Sequence, residues 1–216
     1  MSNINKDYIE DYIRSVLPKR ESFLVQLEEF AQENNIPIIH PEVAEFMRVI
    51  LKIKDSKNIL EIGTAIGYSS IVMSTSIKEG NIITIERQEN MVKLANKNIE
   101  KTGIKNIEIK HGEAKDILPK LNKKFDFIFI DAAKGKYMEF LPYCINMLED
   151  KGIILSDNVL FKGMVANDDL VVRRKKTIVT RMREYLDHIS NHSELTTSII
   201  PIGDGVALSY KESENK

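Results

Sequence analysis

Ile59-Leu60-Glu61-Ile62-Gly63-Thr64-Ala65-Ile66-Gly67-Tyr68-Ser69-Ser70 is the stretch whose reading decides the fold. A short apolar run of β-forming residues (Ile59, Leu60, Ile62) ends at Gly63. A second glycine, Gly67, opens a segment of apolar and small residues that can continue as a helix. The pattern predicts strand, tight turn, helix. Glycines at 63 and 67 let the backbone come close to a ligand where a side chain would collide, and a helix start points unpaired N–H groups into the same space. A nucleotide pocket is expected here.

The same turn restricts which nucleotide. A Walker loop ends in Gly-Lys-Ser/Thr, and Gly67-Tyr68-Ser69 has no lysine, which argues against a triphosphate. The dinucleotide fingerprint G-x-G-x-x-G is absent, because the spacing is G-x-x-x-G. Glu61, just before the first glycine, would repel a pyrophosphate and attract a sulfonium or amino group. A second predicted strand, 81–86, ends in Glu86, about where a Rossmann-like unit carries its ribose-binding carboxylate. A cationic, ribose-bearing ligand fits S-adenosylmethionine (SAM). The alternative is an ordinary strand-to-helix turn with two surface carboxylates.

Working outward, 216 residues at 43% hydrophobic and 29% charged suit a single domain with a full core. A net charge of −1 makes no global case for a nucleic-acid binder, although a local basic patch remains compatible with it. The lone cysteine, Cys144, excludes a disulfide framework and reads as a buried small hydrophobe. The start is polar and no apolar run reaches the length of a membrane span, so a cytoplasmic protein without a membrane partner is expected.

Upstream of the turn, apolar residues spaced three and four apart predict amphipathic helices over 7–17 and 21–34. These precede the first strand and form an appendage, either a lid over the site or a subunit contact. Pro37 and Pro41 bracket an extended link, and a third helix is expected over 42–51. Downstream, strands are predicted at 81–86, 106–110, 125–131, 152–156, 195–200 and 205–210. Helices are predicted at 67–77, 89–102, 113–121, 136–148 and 171–190. Runs such as Phe125-Asp126-Phe127-Ile128-Phe129-Ile130 suit strands buried on both faces. The fold class is α/β and Rossmann-like, with a seven-stranded, mostly parallel sheet, helices on both faces and an N-terminal helical addition. Residues 1–41 are that addition and its link, 42–211 the core, and 212–216 a disordered tail.

A second informative site is split between two strands. One strand ends at Asp131 in FDFIFIDAAKGKY, and another ends at Asp157-Asn158 in GIILSDNVLFKG. If these strands are parallel neighbours, their carboxyl ends lie about 5 Å apart, in the crevice where open α/β sheets place ligands. Two carboxylates and an amide oxygen form an all-oxygen donor set suited to a hard divalent ion such as Mg²⁺, and with no His or Cys at hand zinc is disfavoured. The alternative is a helix-capping Asp131 and a turn at Asp157-Asn158. Lys134 can reach the same pocket, where a metal and a sulfonium would lower its pKa and make it a general base. Its alternative is a solvated lysine.

Together EIGTAIGYSS, Glu86, DAAKGKY and SDNVLFKG resemble the metal-dependent catechol and caffeoyl-CoA type O-methyltransferases, a branch of the class I SAM-dependent methyltransferases. The similarity runs from about Pro37 to the final strand. It implies that Glu61, Gly63, Gly67 and Ser69 line the SAM site and that Glu86 holds the ribose hydroxyls. It further implies that Glu113 and Ala114 meet the adenine and that Ile39 flanks the SAM side. Asp131 would contact SAM and metal, Asp157 and Asn158 would complete the metal site, and Lys134 would be the base. A homodimer is also implied. Family members often read DADK, whereas this chain has Ala133 and reads DAAK. The missing acid is not a metal ligand, and its loss fits a closer resemblance to the bacterial branch that methylates 5-hydroxyuridine at the tRNA wobble position.

Chemically, a metal here would bind two neighbouring oxygens of the acceptor, lower the pKa of its hydroxyl and aim the oxygen at the SAM methyl. A catechol has such a pair, and so has 5-hydroxyuridine with its 5-hydroxyl beside the O4 carbonyl. What separates the two acceptors lies outside the metal site. Arg173-Arg174-Lys175-Lys176, followed by Arg181 and Arg183, could meet tRNA phosphates or be a solvated helix face. A non-enzymatic SAM-binding regulator would not need Asp131, Asp157, Asn158 and Lys134 together. A nucleotide-cofactor oxidoreductase would need the pyrophosphate turn that is missing.

Overall fold

The computed structural model describes residues 3–213. Three helices lead the chain: α1 (Asp7–Val16), α2 (Ser22–Glu33) and α3 (Pro41–Lys54). Then follow β1 (Asn58–Ile62), α4 (Tyr68–Ser76), β2 (Asn81–Glu86), α5 (Glu89–Thr102), β3 (Ile107–His111), α6 (Ala114–Ile117) and β4 (Phe125–Ile130). The rest comprises α7 (Tyr137–Met147), β5 (Leu148–Ser156), α8 (Lys176–Ser190), β6 (Leu195–Ile200) and β7 (Val206–Lys211). Among the described residues these strands form one seven-stranded sheet in the order β3-β2-β1-β4-β5-β7-β6. β7 runs antiparallel to both its neighbours, while β1 to β5 pair in parallel.

Why helices cover both faces follows from strand periodicity. Alternate residues point to opposite faces, so Leu60, Ile62, Ile128 and Ile130 pack with Leu141, Cys144, Tyr185 and Ile189 from α7 and α8. The residues between them, Ile59, Phe127 and Phe129, pack with Leu24, Val43, Met47 and Ile71 from α2, α3 and α4. Every residue of β4 is buried. Cys144 lies in this core, with its thiol pushed up to about 12 by burial. At roughly 1.5–3 kcal/mol for each large side chain removed from water, the two half-cores account for the uninterrupted apolar runs of the sequence.

The predicted elements are found in order, with four local differences. Helix α3 starts at Pro41, where a missing N–H costs nothing, and runs to Lys54, closed by Asp55 at φ +54°. β5 starts at Leu148, four residues earlier than expected, because Phe125 pairs with Leu148 and Phe127 with Ile153, and an irregularity with Lys151 at φ +60° absorbs the extra residues. The helix expected over 113–121 is α6 followed by a 3₁₀ turn, Leu118–Lys120, that contains Pro119. The one expected over 171–190 is likewise a 3₁₀ turn, Arg173–Lys175, leading into α8. The start of the expected tail is held, since Glu212 N–H donates to Glu194 O and its carboxylate accepts from Thr196; positions 214–216 lie outside the described residues. No helix among the described residues is long and apolar enough to cross a membrane.

Candidate active site

All the elements that end in sequence-predicted site residues open on the same edge of the sheet. A cavity of about 520 Å³ lies there, bordered by the β1–α4 turn, the ends of β2 and β4, and the link between α2 and α3. Ile39, Gly63, Ser69, Glu86, Glu113, Ala114, Asp131, Lys134 and Asn158 all line it. The link contributes Asn34 to Ile39, so the wall supplied by the N-terminal addition is the link and not α1.

Two predicted lining residues have different local roles. Glu61 is fully buried behind the turn, where it accepts hydrogen bonds from the hydroxyls of Ser69, Ser70 and Thr84. Thr64 extends this network by meeting Thr84 at 2.5 Å. Burial nonetheless pushes the Glu61 carboxyl up to about 7, against the pull of the three hydroxyls. Gly67, at φ +85°, precedes α4 against Ala95 of α5, which a Cβ would meet at an ordinary contact distance of 3.4 Å. Gly63, at φ +110°, is required by a neighbouring strand end: a Cβ there would lie 2.0 Å from the Asp131 carbonyl oxygen. Close approach of protein backbone is thus what requires the glycine at 63, whereas at 67 it is the left-handed φ.

Glu86 is held at the cavity wall by two backbone donors, Ala65 N–H at 3.0 Å and Gln88 N–H at 2.8 Å, one to each carboxylate oxygen. The first of these ties the end of β2 to the glycine turn. Glu113 precedes the first residue of α6 and pairs with Arg87 at 3.6 Å, at the exposed rim.

The second group gathers at the ends of β4 and β5, which are hydrogen-bonded neighbours. Asp157 is fully buried; its Oδ1 accepts the Asn158 N–H at 2.7 Å, and its Oδ2 has no hydrogen-bond partner. Burial and then the Asp131 charge push its carboxyl well above the usual range. Asp131 is also raised by burial, with Lys134 and His40 pulling the other way. Asn158 sits at φ +56°, and its Oδ1 accepts from Lys134 Nζ at 2.6 Å. Among the described residues no three His, Cys, Asp or Glu side chains gather as a metal cluster; the group here is two carboxylates and the Asn158 amide. An unpartnered buried carboxylate oxygen beside a second carboxylate and an amide oxygen is the chemistry a hard divalent cation satisfies.

Two further residues belong to this neighbourhood that sequence reasoning passed over. Asp204, in the β6–β7 connection between Gly203 and Gly205, is buried, accepts the Lys162 N–H and acts electrostatically on Asp157. Asp204 stands between two glycines in Pro201-Ile202-Gly203-Asp204-Gly205, and an acid so flanked between two predicted strands was a usable signal. His40 acts on both Asp131 and Asp204. Its Nδ1 lies 3.3 Å from Arg14, whose guanidinium also holds the buried Glu42 through two bonds of 2.9 and 2.7 Å. Asn3 and Asn5 donate to Lys162 O and Pro201 O, bringing the chain's first described residues over the same loops.

The basic segment is divided. Arg173, Arg174 and Lys176 are exposed, while Lys175 is half-buried with its Nζ 5.6 Å from the centre of the Phe161 ring. Lys134 Nζ lies 5.7 Å from the same ring. Arg181 and Arg183 are spent internally: Arg181 donates to Gly135 O, and Arg183 to Val165 O, Met164 O and Asp168.

The sequence matches, over residues 15–212, a family described as O-methyltransferase. It is 32% identical over 177 residues to a catechol O-methyltransferase from Niastella koreensis, covering 78% of this chain and 80% of that protein. A crystal structure from Staphylococcus aureus, named as a candidate caffeoyl-CoA O-methyltransferase, superposes with a TM-score of 0.90 at 31% identity, over 95% of this chain and 100% of the other. An O-methyltransferase from Bacillus cereus, solved in complex with SAH, superposes with a TM-score of 0.84 at 26% identity, over 95% and 97% of the two chains. The family match spans nearly the whole sequence and the two solved relatives superpose over 95% of this chain, so the chain belongs to the O-methyltransferase family and is an enzyme of methyl transfer.

Proposed function

We propose that the enzyme uses SAM and a divalent cation, Mg²⁺ by preference, to methylate a hydroxyl that has a second oxygen beside it, and that its acceptor is 5-hydroxyuridine at the tRNA wobble position. The observation that carries the cation is Asp157 Oδ2, buried and unpartnered beside Asp131. Asp131, Asp157 and Asn158 would hold the ion, which when bound supplies a clamp for two acceptor oxygens and lowers the pKa of the hydroxyl. Glu86, Ser69, Glu113, Ala114 and Ile39 would hold SAM in the cavity they line. Lys134, beside Asn158, takes the hydroxyl proton as general base.

Support for a tRNA acceptor comes from the shared Phe161 ring. Lys175 and Lys134 lie over it together, which brings the segment carrying the exposed Arg173 and Arg174 toward Lys134, where phosphates could be met. A second reading, a small catechol-like acceptor, is favoured by the name of the Niastella koreensis relative. The same proposal includes a cytoplasmic homodimer joined through α1, an amphipathic helix that buries none of its own residues and leaves Tyr8 72% and Tyr12 68% exposed.

Transfer of labelled methyl from SAM to tRNA containing 5-hydroxyuridine, with Mg²⁺ or with EDTA and beside a catechol control, tests this reading. Metal-dependent labelling of the tRNA alone is expected; labelling of catechol alone would leave the chemistry standing and remove the tRNA. Lys134→Ala should slow transfer about 100-fold with tRNA affinity unchanged. Weaker tRNA binding as its sole effect would make Lys134 a phosphate contact.

A further inference from the structure

Tyr137, the first residue of α7, is completely buried, and its hydroxyl faces two backbone carbonyls at once: Asp157 O at 3.0 Å and Ile130 O at 3.2 Å. These carbonyls belong to the two strand ends that carry the carboxylates. Ile130 precedes Asp131 at the end of β4, and its oxygen also accepts the Asp157 N–H at 2.9 Å. The 3₁₀ turn Lys134–Lys136 runs directly into Tyr137, so the same ring anchors the loop that bears Asp131 and Lys134. Behind it, the Tyr185 ring meets Tyr137 edge-on, with centroids 5.3 Å apart and planes at 87°. Tyr185 in turn shares a 2.6 Å hydrogen bond with Ser156, the β5 residue paired with Ile130.

We infer that Tyr137 is a positioning residue for the cation site: its hydroxyl, backed by Tyr185 and Ser156, fixes the separation and direction of Asp131 and Asp157, and so sets the affinity for the divalent ion without touching ion, SAM or acceptor. This rests on the metal reading proposed above. The physical argument is that two buried carboxylates repel each other, and only a framework that cannot relax keeps them converged. Strand pairing supplies one bond across this gap, from Asp157 N–H to Ile130 O; the Tyr137 hydroxyl supplies the contact on the far side of Asp157, at its carbonyl. Removing that hydroxyl leaves the Asp157 carbonyl without this buried donor and lets the carboxylate drift.

The test is Tyr137→Phe in the full-length protein, with Mn²⁺ binding measured by calorimetry and by the loss of free-ion EPR signal, and SAM binding measured separately. Mn²⁺ affinity is expected to fall at least ~10-fold, the lower end for loss of a group that orients a metal ligand, with SAM affinity within about twofold of wild type. A Mn²⁺ affinity within about twofold of wild type would overturn the inference, as would an equal loss of SAM and Mn²⁺ binding, which marks general loosening. Should Tyr137→Phe fail to fold, Ser156→Ala, which frees Tyr185, carries the same test with an expected loss of about threefold, and unchanged affinity there overturns it too. Wild-type protein that takes up no Mn²⁺ would instead remove the metal reading, and this inference with it, a result separable from a variant that behaves like a metal-binding wild type.

Discussion

Two carboxylates in this protein, Glu61 on β1 and Asp157 at the end of β5, are equally inaccessible to water, lie on strands separated by β4 alone, and both titrate above their usual range because of burial. Their surroundings differ. Glu61 is met by three hydroxyls, from Ser69, Ser70 and Thr84, which hold the glycine turn to its strand. Asp157 has one backbone donor, and its second oxygen faces no donor at all. Burial alone therefore does not separate an acid taken up by the fold from one left available to a ligand. Nor does an unmet oxygen by itself, since Asp126 Oδ1 is also buried without a partner while its other oxygen holds the Lys57 and Asn58 N–H groups; what sets Asp157 apart is an unmet oxygen together with a second buried carboxylate, Asp131, acting on it.

Asp157→Ala puts this contrast to its hardest test. Transfer should fall by ~10³-fold or more, from loss of several kcal/mol of charge stabilisation, while SAM affinity by calorimetry stays within about twofold. Turnover near wild type would end the distinction. Gly63→Ala strikes the point where the two regions touch, since its Cβ would collide with the Asp131 carbonyl. A stability loss above ~3 kcal/mol in urea unfolding is expected, from steric displacement added to the left-handed strain at φ +110°.

The pH dependence sharpens the Glu61 side. Its carboxyl ionises near 4.5 when unfolded and near 7 when folded. Between these values the folded state binds the proton more tightly, so its contribution is fully present below about 4.5 and is lost as pH rises through about 7. The size is roughly 3 kcal/mol, at about 1.4 kcal/mol for each tenfold gain in proton affinity. Asp131 and Asp157 slope the same way, so the quantity to measure is the difference between wild type and Glu61→Gln in urea midpoints from pH 4.5 to 8. A flatter profile in the variant is expected; identical profiles would mean that Glu61 does not carry this pH dependence. The smallest effect belongs to the basic segment. Arg173→Ala with Arg174→Ala should change stability by less than ~0.5 kcal/mol and weaken tRNA labelling several-fold with a shallower salt dependence. Arg183→Ala, which breaks bonds to Val165 O and Asp168, should cost about 1 kcal/mol of stability.

Much of this was readable in one dimension because it depends on local periodicity. Alternation in β1 and β4, glycines at the first turn, and carboxylates at two strand ends all repeat over a few residues, and each names its element directly. The Lys134–Asn158 contact was foreseeable as a neighbourhood, because parallel strands in adjacent positions end side by side. By contrast Asp204 and His40 approach Asp131 and Asp157 from distant segments, and no spacing rule joins them. Nor does any local pattern say that Arg183 bonds across the surface to Val165 O and Asp168.

By itself, then, the amino-acid sequence determined the class of fold, the order of its strands and helices, the turn that borders the cavity and the acids that end the second and fourth strands. Those features follow from backbone preference and side-chain periodicity, which act over one turn or a few pairs of residues. Only the tertiary structure decided what each acid and glycine does. Gly63 yields to the Asp131 backbone, Glu61 is taken up by hydroxyls, and Asp157 is left with an open oxygen. Hydrogen-bond satisfaction in a buried site is settled by which groups arrive from elsewhere in the chain, and that is a property of packing rather than of any stretch of sequence.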